Sequence, residues 1–266
     1  MGEISIDPKF NIHETYKKVR ILNPYRNVSP IGGVDPDYQA VLDYAAGNFI
    51  DLPSAAQQDI DNQLIINYKV TGAWDLDDVF FKFKGTATPA FKLICWKRRI
   101  EAQAFGGLTW SDSGVKGNGT NAYIKSGYIP SATNKWSLND ASVAFSSFAL
   151  NTVGCIVGSY SNSNDSIYIA PRSSTSYFGL NSNLFNTDAD YRTLGYTSYN
   201  RISPSFLTIN TTDIASDSGA VTSLEIYILA RNNSGNIADI FGDAGLEFVS
   251  FGSSKKSIHN TIKALF

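Results

Sequence analysis

From about residue 78 the hydrophobic period of this chain is two, and it stays so almost to the end. Val79-Phe80-Phe81-Lys82-Phe83-Lys84 runs into Gly85-Thr86, and Phe91-Lys92-Leu93-Ile94-Cys95-Trp96 follows. Further short runs occupy 122–126, 142–150, 155–160, 166–170, 177–180, 192–196, 206–209, 224–230 and 246–251. In one of them Leu224, Ile226 and Ile228 alternate with Glu225 and Tyr227. Such alternation sends successive side chains to opposite faces of a strand, so one face of each run can enter a core. Turn clusters such as Ser161-Asn162-Ser163-Asn164-Asp165 and Asn232-Asn233-Ser234-Gly235-Asn236 separate the runs. Many short strands with regular turn signals predict a mainly β protein, an antiparallel two-sheet sandwich of jelly-roll type.

Three stretches depart from that period. Residues 1–36 carry prolines at 8, 24, 30 and 36, which interrupt any helix before it lengthens. Yet they also carry Phe10, Ile12, Tyr16, Val19, Ile21, Leu22 and Tyr25, too much apolar surface for a freely solvated tail. An extended arm that docks on a neighbour is expected, with Phe10, Ile12, Tyr16, Val19, Ile21 and Tyr25 as its anchors. Residues 37–70 read as a helical segment. Asp35-Pro36 supplies a cap and first turn, and Ala40, Val41, Tyr44 and Ala45 recur at helical spacing. A break at 47–53 precedes a second helix capped by Ser54, with Ile60, Leu64 and Ile65 inward and Asp59 and Asp61 outward. The remainder, 71–266, is the sandwich. It closes on a helix over 254–265, capped by Ser253, with Ile258, Ile262 and Leu265 on one face.

Composition narrows the function classes. Of the 266 residues 17% are charged, against about 25% in ordinary globular domains, so polarity comes from Ser, Thr, Asn and Gly. A net charge of −2 gives no basic excess for nucleic acid, and Lys97-Arg98-Arg99 is too short a cluster to supply one. That cluster reads as a solvated face or a contact for an acidic partner. The N-terminus has no basic region followed by an apolar stretch, and no run approaches the roughly 18 apolar residues of a membrane span. A soluble chain made in a cytoplasm is expected. Cys95 and Cys155 sit in apolar runs, as small buried hydrophobes do, and a disulfide between them is left open.

Residues that carry chemistry are sparse. The histidines are His13, in the arm, and His259, on the last helix, and nothing in the pattern sets either beside a nucleophile. Two His and two Cys fall at no zinc-ligand spacing. Gly117-Asn118-Gly119-Thr120-Asn121-Ala122 has dinucleotide-fingerprint spacing, but Tyr123-Ile124-Lys125-Ser126 after it reads as a strand. A phosphate site needs a helix N-terminus there, so a tight turn and no cofactor are expected. Asp77-Asp78 and Asp188-Ala189-Asp190 are acidic pairs; Asp77 and Asp78 read as an exposed element boundary, with a loop calcium site as the alternative. Tyr191, Tyr196 and Tyr199 lie among Arg192 and Arg201, and Trp136, Tyr160 and Tyr177 lie near turns. Rings beside Arg, Asn and Ser fill a core, stack on sugars or make a protein interface. The candidate glycan or interface contacts are Tyr191, Arg192, Tyr196, Tyr199 and Arg201.

Five motifs in order resemble the laminin-G/concanavalin-like domain of virion and tail-associated proteins of tailed phages, including crAss-like ones. They are Phe91-Lys92-Leu93-Ile94-Cys95-Trp96-Lys97; the segment 114–131 with its Gly117-Asn118-Gly119-Thr120 turn leading into Tyr123-Ile124; Trp136-Ser137-Leu138-Asn139-Asp140-Ala141-Ser142; Glu225-Ile226-Tyr227-Ile228-Leu229-Ala230-Arg231-Asn232; and Phe251-Gly252-Ser253-Ser254. The resemblance covers about 55–266 and implies a two-sheet antiparallel sandwich displayed on the particle, often oligomeric and sometimes glycan-binding. It carries over no catalytic residue and no cofactor. The expectation is therefore a non-enzymatic virion structural protein: a head- or tail-attached decoration, fibre or adaptor. Its arm and first helices would hold other virion proteins (capsid, neck or tail), with itself as a further partner. The alternative is a carbohydrate-binding adhesion module for host surface glycans.

Overall fold

The computed structural model describes residues 33–132, 135–161, 166–172, 176–182, 186–188, 193–235 and 237–266. The expected arm anchors Phe10, Ile12, Tyr16, Val19, Ile21 and Tyr25 lie outside the described residues.

The chain opens on two helices, α1 (Pro36–Gly47) and α2 (Ala55–Val70). Both begin as their sequence dictates. The Asp35 side chain accepts a hydrogen bond from the Asp37 amide at 2.9 Å with Pro36 in the first turn, and Ser54 Oγ accepts from the Gln57 amide at 3.3 Å. A four-residue α3 (Ala73–Leu76) leads into the strand Asp77–Lys82. The run from Phe91, expected to be a strand, instead begins as α4 (Pro89–Lys92) and becomes extended only at Ile94–Cys95. The cause is local: Thr88 Oγ1 accepts from the Phe91 amide at 3.3 Å, and Pro89 presets the helical φ. The closing helix is shorter than 254–265, a 3₁₀ turn at Lys256–Ile258 followed by α5 (His259–Lys263).

Two large sheets and a two-stranded one, Ile94–Cys95 with Ile100–Glu101, make up the rest. The first has eight strands, in the order Thr212–Ala215, Phe206–Ile209, Gly195–Arg201, Ala141–Ala149, Gly245–Gly252, Gly114–Lys116 and Thr109–Ser111. Its eighth strand, Asp77–Lys82, also pairs with Gly245–Gly252, with Phe81 opposite Val249. The second has nine strands, in the order Asn186–Asp188, Ser176–Ser182, Ser166–Ala170, Val157–Tyr160, Tyr227–Ile228, Tyr123–Lys125 and Gln103–Phe105, with Arg231–Asn233 and Ile237–Asp239 attached. Pairing is antiparallel except where Arg231–Asn233 runs parallel to Val157–Tyr160.

Period two assigns each face. From the first sheet Val79, Phe81, Val143, Phe145, Tyr199, Val249 and Phe251 enter one apolar cluster, and from the second Ile124, Val157, Ile167, Ile169, Phe178 and Leu180 enter the same cluster. The intervening residues of the first sheet, Phe80, Ala144, Tyr196 and Phe248, face the other way. They are covered by Tyr38 and Val41 of α1, Ile65 and Tyr68 of α2, and Ile262 of α5. The buried faces of the first helices thus pack on their own sheet. Burial of each large side chain here contributes about 1.5–3 kcal/mol.

The stripe that α2 buries is Gln57, Asp61, Ile65 and Tyr68, while Ile60 is exposed. The expectation of Asp61 outward is therefore corrected. Spacings of four and three put those residues on one side of the helix, and Lys82 on the sheet beneath supplies the charge that Asp61 needs.

Candidate functional site

The first sheet is covered on both faces, by the second sheet's core and by helices. On the far face of the second sheet alternation collects aromatic and basic side chains, of which Tyr168 and Tyr227 are buried and Phe105, Tyr123 and Tyr177 partly exposed. With Ile124, Val157, Ile167 and Ile228 pointing inward, Tyr123, Lys125, Tyr168 and Tyr227 point outward. Register aligns them across strands: Tyr168 lies opposite Gly158, Gly158 opposite Tyr227, Tyr227 opposite Lys125, and Lys125 opposite Gln103.

At one end Phe105 stacks on Tyr123, with centroids 4.9 Å apart and planes 12° from parallel. Tyr123 in turn meets Tyr227 at 5.2 Å and Phe241 at 5.9 Å. Lys125 Nζ is held 5.3 Å from the Phe105 ring centre and 5.5 Å from that of Tyr227. Phe105 is 37% exposed and Tyr123 half-buried, whereas Tyr227 lies beneath them with no hydrogen-bond partner for its hydroxyl. Burial raises the Tyr123 and Tyr227 phenols above their ordinary range, so both stay neutral rings at working pH.

At the other end the Arg231 guanidinium lies 5.1 Å from the Tyr160 ring and 5.8 Å from that of Tyr168. Asp239 accepts from Arg231 Nε at 2.8 Å and from Nη2 at 2.7 Å, which holds the fork flat. Gly158 makes this approach possible, since a Cβ there would stand 3.1 Å from Arg231 Cα and 2.9 Å from Cys155 Sγ. Tyr168 and Tyr177 meet edge to face at 6.4 Å, and Arg172 sits 5.2 Å from the Tyr177 ring while donating to the Tyr168 hydroxyl at 2.8 Å. Six strands, from Gln103–Phe105 to Ser176–Ser182, carry this face, so at the usual spacing it spans about 24 Å.

Of the residues expected to touch glycans, Tyr196, Tyr199 and Arg201 are buried, at 3%, 0% and 0% exposure, and are corrected to interior roles. All three lie on the strand Gly195–Arg201, which is central in the first sheet. Tyr196 stacks on Phe248 at 6.0 Å under the helices, and Tyr199 packs on Phe145 at 6.1 Å in the shared core. Arg201 pins the sheets together. Its Nη2 donates to Ser182 Oγ and Ser216 Oγ at 2.7 and 2.8 Å, its Nη1 donates to the Ser216 carbonyl at 2.8 Å, and its Nε donates to the Leu180 carbonyl. Burial lowers its pKa to about 10, which leaves it charged at neutral pH. Tyr191 and Arg192 lie outside the described residues, as do Ala189 and Asp190. Trp136 is core as well, whereas Tyr160 and Tyr177, noted near turns, belong to the outer face. Phe105, Tyr123, Lys125, Arg172 and Arg231 were missed. Each is an ordinary outward position of a strand or its end, and only the register brings them together.

Other sequence-level candidates resolve into structure. His259 Nδ1 lies 2.9 Å from Ser198 Oγ, a neighbour the sequence did not suggest, but both are buried where α5 meets the first sheet, and Asn200 Nδ2 donates to the same Oγ at 3.0 Å. Burial lowers the His259 pKa, with Lys263 adding to the effect. In the Gly117–Gly119 turn the Asn118 side-chain oxygen accepts from the amides of Thr120, Asn121 and Ala122 at 3.0–3.1 Å. Those amides are engaged, and the strand Tyr123–Lys125 follows as expected. Asp77 and Asp78 are not exposed boundaries. Asp77 is fully buried 2.6 Å from Lys255 Nζ, and Asp78 accepts from the Tyr128 hydroxyl at 3.0 Å. The basic cluster is turned onto its own chain: Lys97 donates to the Trp74 carbonyl at 2.8 Å and Arg98 to that of Gly127 at 2.7 Å. Cys95 and Cys155 are both free thiols, and burial pushes that of Cys155 up to about 12. Among the described residues no three His, Cys, Asp or Glu converge as a metal site, and no helix is long and apolar enough to cross a membrane.

No protein-family model matches the chain, and no curated protein matches it either. Among solved structures, domain 4 of an extracellular arabinanase from Geobacillus stearothermophilus, bound to arabinotriose, aligns at TM-score 0.41 and 14% identity, covering 68% of this chain and 99% of that domain. A sialidase from Trypanosoma rangeli aligns at TM-score 0.47 and 7% identity, over 79% of this chain and 40% of that one. The NanB sialidase of Streptococcus pneumoniae aligns at 0.37 and 13%, over 58% and 27%. At these scores the likeness places the chain in no family.

Proposed function

We propose that this chain is a non-enzymatic carbohydrate-binding module in which two sheets form a concanavalin-like sandwich and the outer face of the second sheet meets the sugar. The observation that carries the reading is the set of partly exposed rings Phe105, Tyr123, Tyr160 and Tyr177, packed over the buried Tyr227 and Tyr168 and flanked by Lys125, Arg172 and Arg231. Ring faces offer apolar area to the C–H side of a sugar, and fixed polar groups at their edges orient its hydroxyls. The rings are held by stacking and by cation contacts, so little side-chain entropy is lost on binding. The motif resemblance supports placing the module on a tailed-phage particle, where it would serve host attachment.

A glycan array tests this. Wild-type protein should give signals that Tyr123→Ala and Tyr177→Ala each reduce about five- to tenfold, consistent with about 1–1.5 kcal/mol per ring. An array with no signal from folded protein would refute the reading.

A second reading is a structural virion component that binds capsid, neck or tail proteins, or copies of itself, through the arm and helical layer. It draws on Phe49, Ile60 and Val70, which remain 98%, 61% and 83% exposed on that layer. Substituting all three with Ser should abolish self-association in sedimentation if that surface is an interface.

A further inference from the structure

The cations of the outer face are not equally engaged. Arg231 is neutralised by Asp239, and Glu225 accepts from the Gly127 amide at 2.7 Å. Lys125 and Arg172 have no carboxylate partner among the described residues. Each is instead held over rings, Lys125 over Phe105 and Tyr227 and Arg172 over Tyr177. A cation–π contact positions a charge without cancelling it. Arg172 uses Nε on the Gly154 carbonyl at 3.2 Å and Nη2 on the Tyr168 hydroxyl at 2.8 Å. Its Nη1 has no hydrogen-bond acceptor among the described residues. Lys125 lies three strand spacings, about 14 Å sideways, from the strand Ser166–Ala170, and Arg172 follows that strand four residues along from Tyr168.

We infer that the sugar this face takes is an acidic one, with carboxylates that pair with Lys125 and with the unused Nη1 edge of Arg172. This rests on the carbohydrate-binding reading and narrows it. A planar carboxylate suits the guanidinium fork, and its own charge would supply the partner that neither cation finds among the described residues. A neutral sugar would stack on the same rings but leave both charges uncompensated.

The test uses the full chain on an array of matched glycans, each carboxylated sugar printed beside its methyl ester. The inference expects signals at least tenfold stronger on the acids, weakening as sodium chloride rises from 50 to 500 mM. Arg172→Gln and Lys125→Gln should each reduce acid binding about fivefold more than they reduce ester binding. Thermal unfolding of each variant checks that it is folded, and the salt dependence of the wild type stands even if one is not. Equal binding to acids and esters would overturn the inference and leave the carbohydrate reading standing. No binding to either would overturn both.

Discussion

Asp61 of α2 and Lys82 of the first sheet form an ion pair with 1% and 7% of their side chains exposed, at the seam where the helices meet the strands. Gln57 Nε2 donates to Asp61 at 2.6 Å and the Tyr38 hydroxyl donates at 3.2 Å, so α1, α2 and the strand Asp77–Lys82 share one carboxylate. Removing one partner strands a buried charge. Asp61→Ala should lower unfolding stability by about 3–5 kcal/mol, while Asp61→Leu with Lys82→Met should recover most of that loss. Urea denaturation of the two variants against wild type measures both; a pair no better than the single would place the charges in water.

The strand Gly195–Arg201 carries stability, not recognition. Tyr199→Ala should cost about 3–5 kcal/mol through the cavity left against Phe145. Any folded Tyr199→Ala protein should bind ligand as wild type does. Loss of ligand binding in a folded variant, seen by titration calorimetry, would return this strand to the surface.

Arg201 cannot be replaced by lysine. The ammonium has three donors and no fork, so of the Leu180 carbonyl, Ser182 Oγ, Ser216 Oγ and the Ser216 carbonyl at least one is left unpaired. Each abandoned buried group costs about 1–3 kcal/mol, and Arg201→Lys should shift the urea midpoint accordingly.

His259 adds a pH term. Its pKa is lowered in the folded protein by burial and Lys263, so the unfolded chain takes up the proton more readily. Its contribution is therefore complete above about pH 6.5 and is lost as pH falls below that through the folded value. Stability of wild type minus that of His259→Gln, measured by urea titration from pH 8 to pH 5, should shrink toward acid. A difference that grows on acidification would mean that the imidazole gains a proton on folding.

Much of the fold was legible because strand alternation and helix caps are local. The caps at Asp35 and Ser54, the strand after Gly119 and the core set Val143, Phe145, Val249 and Phe251 follow from short-range pattern. Asp61 was misplaced because its partner lies 21 residues away, and helical spacing alone does not show which stripe faces a sheet. Tyr196, Tyr199 and Arg201 were misread because a polar neighbourhood in sequence resembles a polar surface, whereas two sheets and a helix layer bury both faces of that strand. The candidate face was illegible for the opposite reason. Phe105, Tyr123, Tyr177, Arg172 and Arg231 are spread over more than a hundred positions, and only cross-strand register assembles them.

Hydrogen-exchange mass spectrometry with the strongest array glycan tests the central claim most directly. Binding should slow exchange in peptides covering 103–105, 123–125 and 227–233 and leave 36–70 and 195–201 unchanged. Protection confined to the helical layer, with the second sheet's outer face unaffected, would contradict the account.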